Sequence, residues 1–143
     1  MMIRSSISFV SVALIVFLFA ITVHGAGKIS SPKPDLAVAK FKIDPEKPKG
    51  GDWVTLSAKV MNKGSAPSAP CQAAIQINDE PDPPMYPVPK LDPEETFTIT
   101  RKIKMKDPGF YKVTFIADYF RTVDERREVN NAVYWNFMVR ENE

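Results

Sequence analysis

The sequence predicts an all-β protein, an antiparallel immunoglobulin-like β-sandwich of about seven strands. Apolar and polar residues alternate with a period of two along most of residues 35–140, and no stretch carries a convincing helical period. Clusters of Pro, Gly, Asn and Asp separate these segments at regular intervals. Seven short strands spaced in this way favour a sandwich over a barrel or a βαβ fold.

The N-terminal segment is typical of an export signal. Arg4 precedes a nearly continuous apolar run over residues 7–23, and the small residue Gly25 follows it, which predicts a signal peptide over residues 1–25. The run also approaches the length that spans a bilayer, so an uncleaved anchor is the alternative. Residues 26–34 predict a flexible leader, and the domain is expected over residues 35–140 of a secreted or periplasmic protein.

The first strand changes phase part-way along. Leu36 and Val38 alternate in one phase, whereas Phe41 and Ile43 alternate in the other. In an antiparallel protein such a slip indicates a β-bulge or a strand that crosses between two sheets. We therefore expect an irregular strand at a sheet edge.

The next two strands are more regular. Residues 54–60 alternate cleanly and predict a half-buried strand, and residues 71–77 predict another. Between them, Asn62, Lys63 and Gly64 predict a turn with positive φ.

Six prolines fall between residues 79 and 95, which excludes a central strand there because each proline removes a backbone donor. We predict a long loop with one edge segment near residues 86–88. Alternation then predicts strands over residues 96–103, 111–117 and 133–139, with Trp135 in the inward row and a charged loop over residues 122–131.

The scarcity of His and Cys residues excludes most kinds of catalytic and metal site. The chain has one His and one Cys, and cleavage of the signal peptide would remove His24. Triads, Cys-His dyads and His-based zinc sites all need an imidazole. Cys71 lies in an alternating run, which favours a buried small side chain; a reactive thiol and an intermolecular disulfide are the alternatives. We expect no enzyme, since a glycosidase would need two carboxylates facing each other across a cleft, and no cofactor.

The charges are nearly balanced, with 19 Lys and Arg against 17 Asp and Glu, a net charge of +2. The basic residues are spread along the chain, so the sequence does not predict a nucleic-acid partner. Recognition is instead expected to rest on aromatic and apolar groups.

A corner pattern occurs before the predicted strand at residues 111–117. Asp107, Gly109 and Tyr111 stand at alternate positions. In immunoglobulin-like sandwiches a Tyr near the start of the penultimate strand turns its hydroxyl back to the backbone. We therefore predict a structural corner at these three residues.

Six fragments in order resemble the CARDB family, the cell-adhesion-related domain found in bacteria. They are Pro34-Asp35-Leu36, Pro48-Lys49-Gly50-Gly51-Asp52, Val60-Met61-Asn62-Lys63-Gly64, Leu91-Asp92-Pro93-Glu94-Glu95, Asp107-Pro108-Gly109-x-Tyr111 and Glu128-Val129-Asn130-Asn131. The resemblance covers about residues 34–140. It implies an exported seven-stranded module that mediates adhesion or binding and has no catalytic residues. The chain departs from the pattern at the Pro-rich loop and at Trp53, where a small polar residue is expected.

Two places offer aromatic or apolar contacts to a partner. Met85, Tyr86 and Val88 lie among prolines that would preorganise a contact surface, although prolines also protect a sheet edge from aggregation. Trp53 is in phase with the outward residues of its strand, so it could stack on a sugar, anchor a protein, or rest on neighbouring apolar surface.

The charged loop offers oxygen ligands for a weak calcium site, with arginines interleaved among them. Local pairing is the competing interpretation, in which Glu128 pairs nearby and Asn130 and Asn131 adopt a left-handed turn. We therefore expect no metal. The candidate ligands are Asp118, Asp124, Glu125, Glu128, Asn130 and Asn131.

Together these features predict an exported, non-enzymatic binding or adhesion module of a bacterial or archaeal envelope. The expected partner is an envelope or extracellular protein, or a carbohydrate. The alternatives are a carbohydrate- or weak calcium-binding module, and a subunit tethered to the membrane through an uncleaved N-terminal segment. Only that segment would bring the domain to a membrane.

Overall fold

The computed structural model describes residues 31–142 and folds them into two antiparallel sheets packed as a sandwich. The three-stranded sheet has the order β1-β2-β5, and the four-stranded sheet has the order β4-β3-β6-β7. The strands are β1 (Leu36–Asp44), β2 (Trp53–Asn62), β3 (Cys71–Ile77), β4 (Met85–Val88), β5 (Thr96–Lys104), β6 (Gly109–Ile116) and β7 (Ala132–Val139). The predicted all-β sandwich is confirmed.

The predicted signal peptide and the first part of the predicted leader, to residue 30, lie outside the described residues. Within residues 31–142 no helix is long and apolar enough to cross a membrane.

The core lies between the sheets and is built from the inward rows of the alternating strands. Leu56 and Val60 of β2, Ile75 of β3, and Val113 and Phe115 of β6 are fully buried there. Burial of large apolar side chains contributes roughly 1.5–3 kcal/mol each, and this stabilisation fixes which face of each strand turns inward.

The phase change in β1 is a β-bulge, as predicted. The register of β1 on β2 shifts between Val38 and Lys40, and β1 is an edge strand. In a regular strand, Leu36 and Phe41 would point to opposite faces because an odd number of positions separates them. The bulge adds one residue, so both side chains face the core.

The Pro-rich segment contributes a single short edge strand, β4, which pairs only with β3. Pro87 stands opposite Gln72 and is exposed, because a proline is tolerated at an edge where its missing N–H is not needed.

The turn after β2 differs from the prediction, since none of residues 62–64 has a positive φ. Gly64 is needed for space: a Cβ there would lie 2.3 Å from the carbonyl oxygen of Lys33 and 2.6 Å from the amide of Asp35. The Asn62 side chain is fully buried beneath this crossing.

The predicted leader ends earlier than residue 34. The carbonyl of Lys33 accepts a hydrogen bond from the Ser65 amide at 3.0 Å, and the carbonyl of Pro34 accepts one from the Arg126 amide at 2.8 Å. Lys33 and Pro34 are therefore part of the sandwich.

Candidate binding surfaces

The predicted corner has a defined hydrogen bond. The Tyr111 hydroxyl donates to the carbonyl of Asp107 at 2.8 Å, and the ring stacks on Phe137 with centroids 5.8 Å apart. Gly109, which lies between Asp107 and Tyr111, has a φ of 145°, a backbone conformation that residues with a side chain rarely adopt. The hydrogen bond is exposed, so its role is to fix the start of β6 rather than to satisfy a deeply buried group.

The predicted contact residues near the prolines lie on β4 and differ in burial. Val88 is 1% exposed and belongs to the core, which leaves it no surface for a partner and corrects that part of the prediction. Tyr86 packs against the core, and burial raises the pKa of its hydroxyl. Met85 is half-buried, and its side chain points to the outside of the sheet, opposite to those of Tyr86 and Val88.

Trp53 lies on the outer face of the three-stranded sheet. Its side chain is 58% exposed, and the Lys102 ammonium lies 5.5 Å from the ring centroid. The ring is therefore available to a partner from one side.

The charged loop uses its polar side chains to hold its own backbone. A carboxylate oxygen of Asp118 accepts from the Val123 amide at 2.8 Å, and Glu125 accepts from the Leu36 amide and from the Asn131 side chain. Burial raises the pKa of Glu125 to about 7. Three or more His, Cys, Asp or Glu side chains grouped for a metal do not occur within residues 31–142.

Asn130 and Asn131 do not adopt the predicted left-handed turn, because neither has a positive φ. Their side-chain amides donate instead to Asp35 at 2.6 Å and to Glu125 at 2.7 Å. The two asparagines therefore connect the loop before β7 to the start of the sandwich and to the loop's own carboxylate.

Cys71 is a buried thiol. Its Sγ lies 3.4 Å from the carbonyl of Ala117. Burial, reinforced by the charges of Asp118 and Glu125, raises the pKa of the thiol to about 12. It is a packing residue and a poor nucleophile in the folded protein.

The edge of β7 carries backbone groups without a strand beside them. The amide and carbonyl of Arg140 both bond to the loop at residues 48–50, on the side away from β6. Because these groups alternate sides along an antiparallel strand, those of Tyr134, Asn136 and Met138 face the same open side. We call these three residues the β7 edge.

The side chains of β7 itself are uncharged, although the Lys112 ammonium of β6 lies 5.7 Å from the centroid of the Tyr134 ring. Tyr134 is 65% exposed and Met138 is 49% exposed, and β7 contains neither a charged residue nor a proline. Trp135, predicted to face inward, is half exposed because it sits at the open side of the sandwich, where it packs on Phe41 with ring centroids 5.1 Å apart.

A cleft of about 330 Å³ opens beside β7, between the two sheets. Phe41, Ile43, Trp135 and Phe137 give it apolar walls, and Lys42 and Glu46 lie at it as well. A strand placed next to β7 would turn alternate side chains toward this cleft.

A group of lysines that the sequence analysis described as spread along the chain lies on one face in the fold. The outward positions of β1, β2 and β5 form the outer face of the three-stranded sheet, and we call it the lysine face. Its lysines are Lys40, Lys42, Lys59, Lys102 and Lys104. The adjacency of the three strands, which brings these lysines together, was not available from the sequence.

Comparison with known protein families shows which family the chain belongs to. The family model described as CARDB matches residues 33–134, most of the chain. The chain belongs to the CARDB family. No curated protein matches it.

Two solved CARDB domain structures from Pyrococcus furiosus match this CARDB domain along almost their full length. The crystal structure, described as a complex with di-metal ions, has a TM-score of 0.69 and 23% identity, and the match covers 77% of this chain and 96% of that one. The solution structure has a TM-score of 0.64 and 24% identity, with 76% and 96% covered. At these identities the likeness shows the shared fold.

The same CARDB fold also resembles part of a larger enzyme. Beta-glucosidase 3B from Thermotoga neapolitana matches with a TM-score of 0.50 and 13% identity, over 76% of this chain and 16% of that chain. A match to so small a part of that chain shows the fold alone and carries no catalytic role to this CARDB domain.

Proposed function

We propose that this CARDB domain is an exported, non-enzymatic adhesion module that binds an extended segment of an envelope or extracellular protein at the β7 edge. The observation that carries the proposal is the set of unpartnered amides and carbonyls at Tyr134, Asn136 and Met138 on an uncharged strand. Natural sheets protect such edges with charges, prolines or short strands.

The other edges of the sandwich carry that protection. β4 is four residues long and contains Pro87, β1 has a bulge and carries Lys40 and Lys42, and β5 carries Lys102 and Lys104. β7 has eight residues and none of these devices. This contrast supports a binding role for the β7 edge.

Strand addition would give the partner both affinity and selectivity. Main-chain hydrogen bonds to the β7 edge would align the added segment, and the adjacent cleft would take one apolar side chain of that segment. The loop at residues 48–50 already extends the edge in this way, since Lys49 pairs with Arg140 in a parallel bridge.

The proposal is tested with the Asn136→Pro variant. Proline removes the amide that points away from β6 and places its ring in the path of an added strand, while the bonds to β6 stay in place. Asn136→Thr is the matched control, because it keeps the amide. We expect Asn136→Pro to lose retention on envelopes of the source cell, while the control is retained. Equal retention of both variants would refute strand addition at β7.

Export is tested separately by the intact mass of the protein recovered from the envelope fraction. A mass that lacks residues 1–25 supports a free module, and the full mass supports a tethered subunit. Protein found only in the cell interior would contradict both.

A further inference from the structure

The lysine face concentrates positive charge without pairing it. Lys40 and Lys42 come from β1, Lys59 from β2, and Lys102 and Lys104 from β5. The four salt bridges within residues 31–142 use other cations. Five ammonium groups without a carboxylate partner therefore stand on one side of a single sheet, and one of them, that of Lys102, lies over the Trp53 ring.

Edge protection explains part of this pattern and leaves one residue unexplained. β1 and β5 are the two edges of the sheet, where lysines oppose aggregation. Lys59 is on the central strand, directly opposite Lys40, and like charges directly opposite each other destabilise a sheet. Nothing in the packing requires a lysine at this position.

Hydroxyl groups lie between the lysines. Ser57 stands between Lys42 and Thr100 in the register, and Thr98 stands beside Lys59. A shallow depression of about 390 Å³ forms here, lined by Lys40, Lys42 and Lys59 together with Ser57 and Thr98. The face thus offers hydrogen-bond donors and acceptors as well as charge.

The face is also long and has an aromatic end. Trp53 lies six residues before Lys59 on β2, a distance of roughly 20 Å at the rise of a β-strand. The one carboxylate among the outward positions of the three strands is Asp44, the last residue of β1, opposite Thr55. The surface between Lys59 and Trp53 is therefore basic except at its β1 margin, where Asp44 lies.

We infer that the lysine face binds an acidic polysaccharide, a sugar chain that carries carboxylate or sulfate groups. The lysines would meet its charges, the Ser and Thr hydroxyls its hydroxyl groups, and the exposed Trp53 ring the flat face of a sugar. An anionic membrane would be expected to meet several apolar side chains for insertion, whereas this face has one exposed aromatic. This binding goes beyond the protein contact proposed at the β7 edge.

The test is a binding titration of the exported protein against polygalacturonate and dextran sulfate, with neutral dextran as the uncharged reference. We expect binding to at least one acidic chain and none to neutral dextran, with affinity falling as salt rises because the lysines displace counterions. Lys59→Thr should lower the affinity about fivefold, the effect of one lysine at an anionic surface. Its melting temperature should stay equal or rise, because the like-charged pair is gone.

Lys63→Thr is the matched control. It makes the same charge change at an exposed residue just beyond β2, outside the lysine face. We expect it to bind like the parent protein, and we expect Trp53→Ala to weaken binding. An equal loss of affinity in Lys63→Thr would show that binding depends only on net charge and would overturn the inference.

Two further outcomes would overturn it: no binding to either acidic chain, or equal binding to duplex DNA or to phosphatidylglycerol vesicles at the same salt. The test is independent of the β7 edge, because Asn136→Pro should leave polysaccharide binding unchanged and Lys59→Thr should leave envelope retention through β7 unchanged. A failure of either proposal is therefore recognisable by itself.

Discussion

Asn62 is the position where a single substitution tests the packing of the sandwich most directly. The side chain is fully buried and makes four hydrogen bonds. Its Oδ1 accepts from the amides of Asp35 at 3.1 Å and Gly64 at 2.9 Å, and its Nδ2 donates to the carbonyls of Ala66 at 2.8 Å and Leu91 at 3.0 Å. One amide thus joins the N-terminal segment, the turn after β2 and the loop before β5.

Asn62→Ala removes all four bonds at once. Each buried group left unpaired costs about 1–3 kcal/mol, and water entering the vacated space recovers part of this, so we expect a loss of roughly 4 kcal/mol of unfolding free energy. The assay is urea unfolding at pH 7, with Asn136→Ala as the exposed control, expected within about 0.5 kcal/mol of the parent.

Asn62→Asp tests the direction of the hydrogen bonds. It keeps the acceptor but sets a second oxygen against the carbonyls of Ala66 and Leu91, so the folded state favours the protonated acid and its pKa is raised. A raised pKa means that stability is present at low pH and is lost as pH rises through the folded-state pKa. We expect the loss of stability of Asn62→Asp relative to the parent protein to be larger at pH 7.5 than at pH 5. A loss below about 1 kcal/mol in Asn62→Ala, or an equal loss of Asn62→Asp relative to the parent at both pH values, would refute this account of the buried amide.

Three further predictions concern other parts of the sandwich. Tyr111→Phe should cost about 0.5–1.5 kcal/mol in urea unfolding, because its bond to Asp107 is exposed; a change within error would mean that the corner bond contributes nothing. The raised pKa of Glu125, about 7, should make stability fall by up to about 2 kcal/mol as pH rises from 5 to 7, and Glu125→Gln should flatten that slope in melting experiments, whereas stability rising with pH would contradict it. Gly64→Ala should cost more than about 2 kcal/mol, because its Cβ would meet the backbone of residues 33–35, and a neutral result would show that this crossing shifts freely.

Strand existence and facing could be predicted because both depend on local alternation. The phase change between Val38 and Phe41 predicted the bulge, and the inward row of β2 predicted buried residues. Trp135 followed the same rule and is nevertheless half exposed. Alternation gives the face of a strand, but whether that face is covered depends on the width of the opposite sheet, which the sequence does not report.

Asn62 and Gly64 show the second limit. Their sequence is typical of a left-handed turn, and the prediction used that local rule. Their actual roles depend on the segment at residues 33–35, 27 or more positions earlier in the chain, which crosses over the turn. A local pattern identified residues that matter without identifying why.

The charge distribution shows what a near-zero net charge does not report. Balanced totals led us to expect recognition by aromatic and apolar groups, and that expectation stays a prediction, whereas strand pairing collects lysines on the three-stranded sheet and leaves β7 without charge. The two proposed surfaces belong to different sheets and meet at Phe41 and Lys42, which line both the β7 cleft and the depression on the lysine face. A module with two such surfaces could hold a protein strand and an acidic sugar chain together, because occupying one leaves most of the other open. Joining two envelope components in this way is a physical basis for adhesion that needs no chemical step.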